Sequence, residues 1–279
     1  MSKSATESPA LQSMLANAIE GEFAANPPTI CVIGLSGVGK SSTINAMFGA
    51  NRAVSATIRG TTRFAADTYE IASTRVAGLA LNCTLRVYDA VGLGEDIELD
   101  ASYLERYKRH LPKCDIALWI VAARNRALAL DQQYLQQLAK VLPNLVIGLN
   151  QVDLVEPLSW STAANLPSKA QQQAIAAIAA DRRAKLGRYA RQGEVAVIPY
   201  SALHYYNLQS LFLECIRAAP APRRWMFDLI KSFSTADWLA RAEGLTEAQR
   251  QAFIAAQGGG NEAIDPAVLM SQHLGRGRR

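Results

Sequence analysis

The residues with the plainest chemical potential are Gly34-Leu-Ser-Gly-Val-Gly-Lys-Ser41, which fit the pattern GxxxxGK[ST]. A phosphate group needs concentrated positive potential with no bulky side chain in the way. Gly34, Gly37 and Gly39 let the backbone curl into a concave nest, so that the N–H groups of this loop, Ser36 and Val38 included, can face phosphate oxygens. A helix beginning here adds its free N–H groups, Ser42 among them, and its positive dipole end. Lys40 is placed to reach the β- and γ-phosphates and Ser41 to ligate Mg²⁺. An ordinary glycine turn is the bland alternative. The apolar strand pattern before the loop and the helical pattern after it argue against that.

The phosphate loop alone admits either adenine or guanine nucleotides. Four further elements follow in order. Gly60-Thr-Thr-Arg63 lies in a polar loop and offers a threonine to Mg²⁺. Asp89-Ala-Val-Gly92 (DxxG) ends a strand; Asp89 can hold Mg²⁺ through water, and the Gly92 N–H can meet the γ-phosphate. Asn150-Gln-Val-Asp153 ends a later strand, and Ser201-Ala-Leu203 follows the last one. The carboxyl ends of strands are where ligands bind in open α/β sheets. The spacing describes a single compact nucleotide pocket.

The elements that must position these residues alternate between strand and helix, the pattern of a mostly parallel sheet covered on both faces. Thr29–Leu35 is a nearly continuous apolar run, as a central buried strand requires. Helices are expected over Lys40–Phe48, Ile97–His110, Asp131–Leu142, Pro167–Arg191 and Asn207–Ala218. Strands are expected over Asp115–Ala122, Leu145–Asn150 and Glu194–Pro199. Asp67–Val76 and Leu79–Asp89, broken by Ala77-Gly78, read as an antiparallel hairpin. The fold class is therefore α/β, with a six-stranded, mostly parallel sheet and helices on both faces. The chain divides into an N-terminal helical extension (1–27), a nucleotide domain (28–220) and a C-terminal helical extension with a basic tail (221–279). A short helix is expected over Leu11–Phe23, and others over RRWMFDLIKSF, TADWLARA and EGLTEAQRQAFIAAQ, the last capped by Thr246.

A chain of 279 residues supports one such domain with a sizeable core. Its longest strongly apolar stretch, Ile116–Ala123, is far too short to span a bilayer. The opening MSKSATESPA has no apolar signal core, so a cytoplasmic location is expected. Cys31, Cys83, Cys114 and Cys215 lack pairing or metal-ligand spacing and read as buried free thiols. The net charge of +5 is dispersed apart from Arg276, Arg278 and Arg279, a weak basis for binding nucleic acid.

The ordered set of motifs from Thr29 to Ala219 resembles the Era-like branch of the translation-factor-related P-loop GTPases. More narrowly, GTTR, RNRALALDQQYL and NQVD resemble the prophage-associated bacterial GTPases of the YfjP and YeeP type. The resemblance implies a P-loop NTPase fold, GTP or GDP as the bound nucleotide, Mg²⁺, and hydrolysis to GDP and phosphate. It assigns guanine N1 and N2 to Asp153, support of the base and phosphate loop to Asn150, and guanine O6 to the Ser201–Ala202 backbone, with Gln151 and Leu203 beside the base. It places Thr62, immediately before Arg63, on Mg²⁺ with Ser41 and Asp89, and gives the chemistry to Lys40, Thr62 and Gly92. It implies a switch whose partners include a homodimer through the nucleotide domain, a ribosome or a protein activator. A ribosome- or RNA-associated assembly factor and a membrane-surface GTPase acting through the terminal helices are the alternatives.

Three residues depart from the family pattern. Gln151 stands where a lysine usually packs along the base. Leu93 follows DxxG where a water-orienting glutamine stands in Ras-like proteins. Gly37 stands where potassium-activated relatives carry Asn. Glu95 and Asp96 follow in the same segment, as water-positioning acids or, more ordinarily, as solvated or capping ones. His110 and His204 read as surface or helix-end residues, and Arg59 and Arg63 as loop arginines able to approach phosphates. Trp119, Trp225 and Trp238 read as packing anchors.

Overall fold

The computed structural model describes residues 9–48, 65–76, 79–125, 128–191 and 193–230. The polar loop carrying Arg59, Thr61, Thr62 and Arg63 lies outside them, as do Trp238 and the expected helices beyond 231.

Six strands form one sheet: β1 (Thr29–Gly34), β2 (Ala65–Val76), β3 (Leu79–Asp89), β4 (Ile116–Ala122), β5 (Asn144–Asn150) and β8 (Val197–Pro199). Their order is β2-β3-β1-β4-β5-β8, parallel throughout except for the antiparallel β2–β3 hairpin. The central strands are apolar because both of their faces are covered. All six residues of β1 are buried, as are the first six of β4.

Helices α3 (Ile97–His110), α4 (Ala129–Leu138) and α5 (Lys169–Leu186) make one row. Helices α2 (Lys40–Phe48), α6 (Leu208–Arg217) and α7 (Arg224–Ile230) make another. Helix α1 (Pro9–Ala25) joins α7 through Phe23, whose ring meets Trp225 edge-on at 6.1 Å. Met226, Phe227 and Ile230 of α7 lie in the same core as the sheet. Arg223 ties this corner together: its Nη2 donates to the carbonyls of Asn26 (2.8 Å) and Pro27 (3.0 Å), and its Nε lies 2.6 Å from Asp115. The other Asp115 oxygen accepts the Thr29 N–H at the start of β1 at 2.8 Å. All four cysteines are free and buried.

Several boundaries differ from the sequence reading for local reasons. β8 covers only three residues, beginning at Val197 instead of Glu194 and ending at Pro199 as expected. Helix α4 starts at Ala129, which puts Asp131 inside the first turn instead of at its cap. A two-residue hairpin, β6 (Trp160–Ser161) with β7 (Leu166–Pro167), precedes α5. Strands this short carry no alternating pattern to read.

Asp131 is fully buried, and its Oδ1 accepts the Trp119 indole N–H at 2.9 Å. Burial pushes its pKa up from 3.8 to about 6, against the opposing pull of that hydrogen bond and of the Arg182 charge. The folded value lies above the unfolded one, so the folded state binds the proton more tightly. The stabilising effect is complete below about pH 4 and is lost as pH rises through about 6. A shift of about 2 units corresponds to about 3 kcal/mol. Asp131→Asn keeps an acceptor for Trp119 but cannot ionise. Its stability relative to the native protein should therefore rise by about 2 kcal/mol from about pH 4.5 to about pH 7.5, the remainder of the effect lying below pH 4.5. Urea unfolding at both pH values checks this; an unchanged difference would refute it.

Candidate functional site

The phosphate loop is shaped by three glycines with positive φ: Gly34 (146°), Gly37 (74°) and Gly39 (92°). At two of them space is equally decisive. A Cβ on Gly34 would stand 2.4 Å from the Ile120 carbonyl oxygen, and one on Gly39 would stand 2.4 Å from Asn150 Nδ2. Gly37, in contrast, has open space around it.

The DxxG segment runs beside the loop. Ala90 N donates to Val32 O (3.1 Å), Leu93 N to Gly34 O (3.3 Å) and Ser36 N to Leu93 O (2.8 Å). The Tyr107 hydroxyl, buried on α3, donates to the Val91 carbonyl from behind. Gly92 lies so close that a Cβ there would meet Ser36 Cα at 2.8 Å and Lys40 Nζ at 3.0 Å. Leu93 is completely buried, so its side chain does not reach the mouth of the loop.

Lys40 is also buried, and its Nζ donates to the carbonyls of Leu35 (2.9 Å) and Gly34 (3.3 Å). Burial lowers its pKa from 10.5 to about 8, while Asp89 and Glu95 partly oppose the shift. The loop thus holds an ammonium ion short of negative charge, which a phosphate would supply. Ser41 Oγ donates to Asp89 Oδ2 at 3.0 Å. A hydroxyl and a carboxylate at a helix N-terminus are hard oxygen donors of the kind Mg²⁺ takes, its remaining positions being filled by water and phosphate. Thr62, the third expected donor, lies outside the described residues.

Across the pocket, Asn150 spans two loops. Its Nδ2 donates to Val38 O at 2.9 Å, and its Oδ1 accepts the Ala202 N–H at 3.1 Å. Gln151 adopts a left-handed conformation (φ 62°), and its amide reaches Gly37 O at 3.4 Å. Asp153 has a nearly buried side chain, and its Oδ1 has no hydrogen-bond partner among the described residues. A buried carboxylate oxygen left in this state is costly, so a donor supplied by a ligand is the natural complement. A cavity of about 350 Å³ connects Gly39, Ser42, Asn150, Asp153, Ala202 and Leu203. A larger cleft of about 860 Å³, bordered by Arg124 and Arg182, touches the base-side loop at Leu154 but holds none of the phosphate-loop residues.

Three contacts that support the site escaped the sequence reading. Tyr200 is buried, its hydroxyl 2.7 Å from Thr43 Oγ1 of α2, and its ring fills the space left by the missing side chain of Gly148. His204 was read as a surface residue, yet its Nε2 lies 4.0 Å from Asp153 Oδ2 and its ring stacks on Trp160 at 5.1 Å. Its position directly after Ser201-Ala-Leu203 was the available signal. Glu95 Oε1 accepts a hydrogen bond from Ser36 Oγ at 2.8 Å, a contact across 59 residues. Asp96 serves as the N-cap of α3, accepting from the N–H groups of Glu98 and Leu99.

A glycine-lined loop between β1 and α2, an aspartate ending β3 and an Asn/Asp pair after β5 define a P-loop nucleotide-binding domain. The sequence model of the family described as "50S ribosome-binding GTPase" matches residues 29–151. YfjP of Escherichia coli K12 is 30% identical over 154 residues, 53% of this chain and 48% of that protein. YkfA of the same organism is 34% identical over 134 residues, 47% and 44% of the two chains. GTPase Der of Chlorobium phaeobacteroides (strain DSM 266) is 31% identical over 142 residues, 49% of this chain and 30% of Der. These similarities support a P-loop GTPase domain of this type in the chain, the family match itself covering residues 29–151. It spans just under half the length of YfjP and YkfA.

The orphaned oxygen of Asp153 gives a test of base choice. Asp153→Asn replaces one acceptor with a donor, so preference should move from GTP toward xanthosine triphosphate by about tenfold or more, roughly 1.4 kcal/mol. Titration calorimetry with both nucleotides measures it. Unchanged GTP affinity in the variant would remove Asp153 from the base site.

Proposed function

We propose that this protein binds GTP and hydrolyses it slowly to GDP and phosphate, acting as a nucleotide-dependent switch. The observation that carries this reading is the buried Asp153 with its unpartnered Oδ1, in the same cavity as Gly39 and Ser42 of the phosphate loop. Guanine presents a donor pair to such a carboxylate, whereas adenine lacks that pair and would leave the acceptor unsatisfied.

In this reading Gly34, Ser36, Gly37, Val38, Gly39, Lys40, Ser41 and Ser42 surround the phosphates. Asn150, Gln151, Asp153, Ser201, Ala202 and Leu203 surround the base. Ser41, Asp89 and Thr62 hold Mg²⁺, which neutralises charge on the β- and γ-phosphates when bound. Lys40 stabilises the charge that develops on the transferring group, while the Gly92 N–H contacts it from the other side. Thr62 and Gly92 would report the presence of the γ-phosphate, and its loss would release their loops. The nucleotide domain is residues 28–220, with 1–27 and 221–279 as flanking extensions. The family's description names the 50S ribosome, and a ribosomal partner for this chain rests on that description alone.

Slow hydrolysis follows from the supplementary positive charge that the site lacks among the described residues. Leu93 is buried and apolar, and Gly37 offers no side-chain oxygen to a monovalent cation. In other GTPases a supplementary charge is worth about 10³–10⁵ in rate. Single-turnover assays with protein in excess should therefore give a slow rate that barely changes when Na⁺ replaces K⁺, and Lys40→Ala should abolish it. A potassium-dependent rise of about tenfold, about 1.4 kcal/mol of barrier, would overturn the Gly37 argument. Turnover in Lys40→Ala equal to wild type would overturn the assignment of the phosphate site.

A further inference from the structure

The segment Leu93-Gly94-Glu95-Asp96 is held in place residue by residue. Leu93 is sealed in the core and bridged to Leu35. Gly94 turns the chain with φ 84°, a value that favours glycine. Its N–H is gripped by both carboxylate oxygens of Asp100, at 3.1 and 3.0 Å. Asp100 is itself buried and accepts the Tyr134 hydroxyl, so this anchor is fixed from two helices. Asp96 is committed to the cap of α3.

Glu95 is the one acid in this segment with no part in starting the helix. The turn at Gly94 carries it back to the phosphate loop, where Ser36 Oγ donates to its Oε1 at 2.8 Å. Ser36 and Lys40 Nζ both border Gly92 so closely that a Cβ there would clash with each, and the charge of Glu95 is felt at Lys40. An exposed carboxylate is thus aimed at the place where the terminal phosphate would lie.

We propose that Glu95 orients the attacking water and accepts its proton, the task that Leu93 cannot perform. This rests on the reading of the site as one that hydrolyses GTP. The water oxygen forms a bond to the γ-phosphorus as the bond from that phosphorus to the β–γ bridging oxygen breaks, the electron pair remaining with GDP. The water proton passes to the Glu95 carboxylate and from there to the departing phosphate. Ser36 is the positioning residue that holds the carboxylate at the loop mouth.

The test uses the full chain and three variants, with GTP affinity and single-turnover phosphate release measured on each. Glu95→Gln retains an acceptor for Ser36 but loses basicity, and Glu95→Ala loses both. Positioned acid–base groups contribute about 10²–10⁴ in rate. Both variants should lose about 10²-fold in rate at the low end of that range, with GTP affinity kept within about threefold. Asp96→Ser removes the neighbouring carboxylate while keeping a helix cap, and should hydrolyse GTP at the wild-type rate. Wild-type turnover in Glu95→Gln, alongside normal GTP binding, would overturn the proposal and leave the GTPase reading standing; Glu95 would then be a latch between two loops. A parallel fall in affinity and rate would also overturn it. Absence of GTP binding and turnover in the unaltered protein would overturn the GTPase reading and this proposal together.

Discussion

Every recognition element of the site leans on one side chain, the amide of Asn150. It is buried, and it spends its donor on the phosphate loop at Val38 and its acceptor on the Ala202 N–H. The two loops belong to opposite ends of the nucleotide, so their separation is set by the length of a single amide. Gly39 is bound by the same constraint, because any side chain there would occupy the space of Asn150 Nδ2. A buried amide left half-satisfied costs about 1–3 kcal/mol. Loosening either loop would therefore release the other.

A second brace lies beneath it. Tyr200 closes the last strand, and its hydroxyl meets Thr43 of the helix that follows the phosphate loop. That helix also fixes Thr43 to Gly39 O at 2.8 Å. The phosphate side and the base side are thus joined above by Asn150 and below by Tyr200, through groups in which polar atoms are paired. Complete satisfaction of such a network rigidifies a site. The Asp153 oxygen is the exception: it lines the pocket and has no partner among the described residues.

The fold was largely legible because its signals are local. The apolar runs of β1, β4 and β5 and the glycines of the phosphate loop announce themselves within a few residues. The same holds for Asp89 and Asn150, which end strands. What escaped the sequence reading lies between distant positions. Thr43 and Tyr200 are 157 residues apart, and Ser36 and Glu95 are 59 apart. No periodicity encodes either contact. His204 looked partnerless for the same reason, since Asp153 and the Trp160 ring reach it only after α5 has folded the chain back. The short β6–β7 hairpin shows a different limit: two residues per strand make a single repeat of the strand pattern, too few to display alternation.

Arg223 has a mechanical meaning. By gripping Asn26, Pro27 and Asp115, it fastens the start of α7, the end of α1 and the first residue of β1 at one knot. The phosphate loop begins at the far end of that same strand, about 20 Å away for six extended residues. β1 is paired on both sides and buried throughout, which makes it a stiff rod and a poor spring. A load hung on either flanking helix is delivered to the foot of this rod, and the phosphate loop sits at its tip.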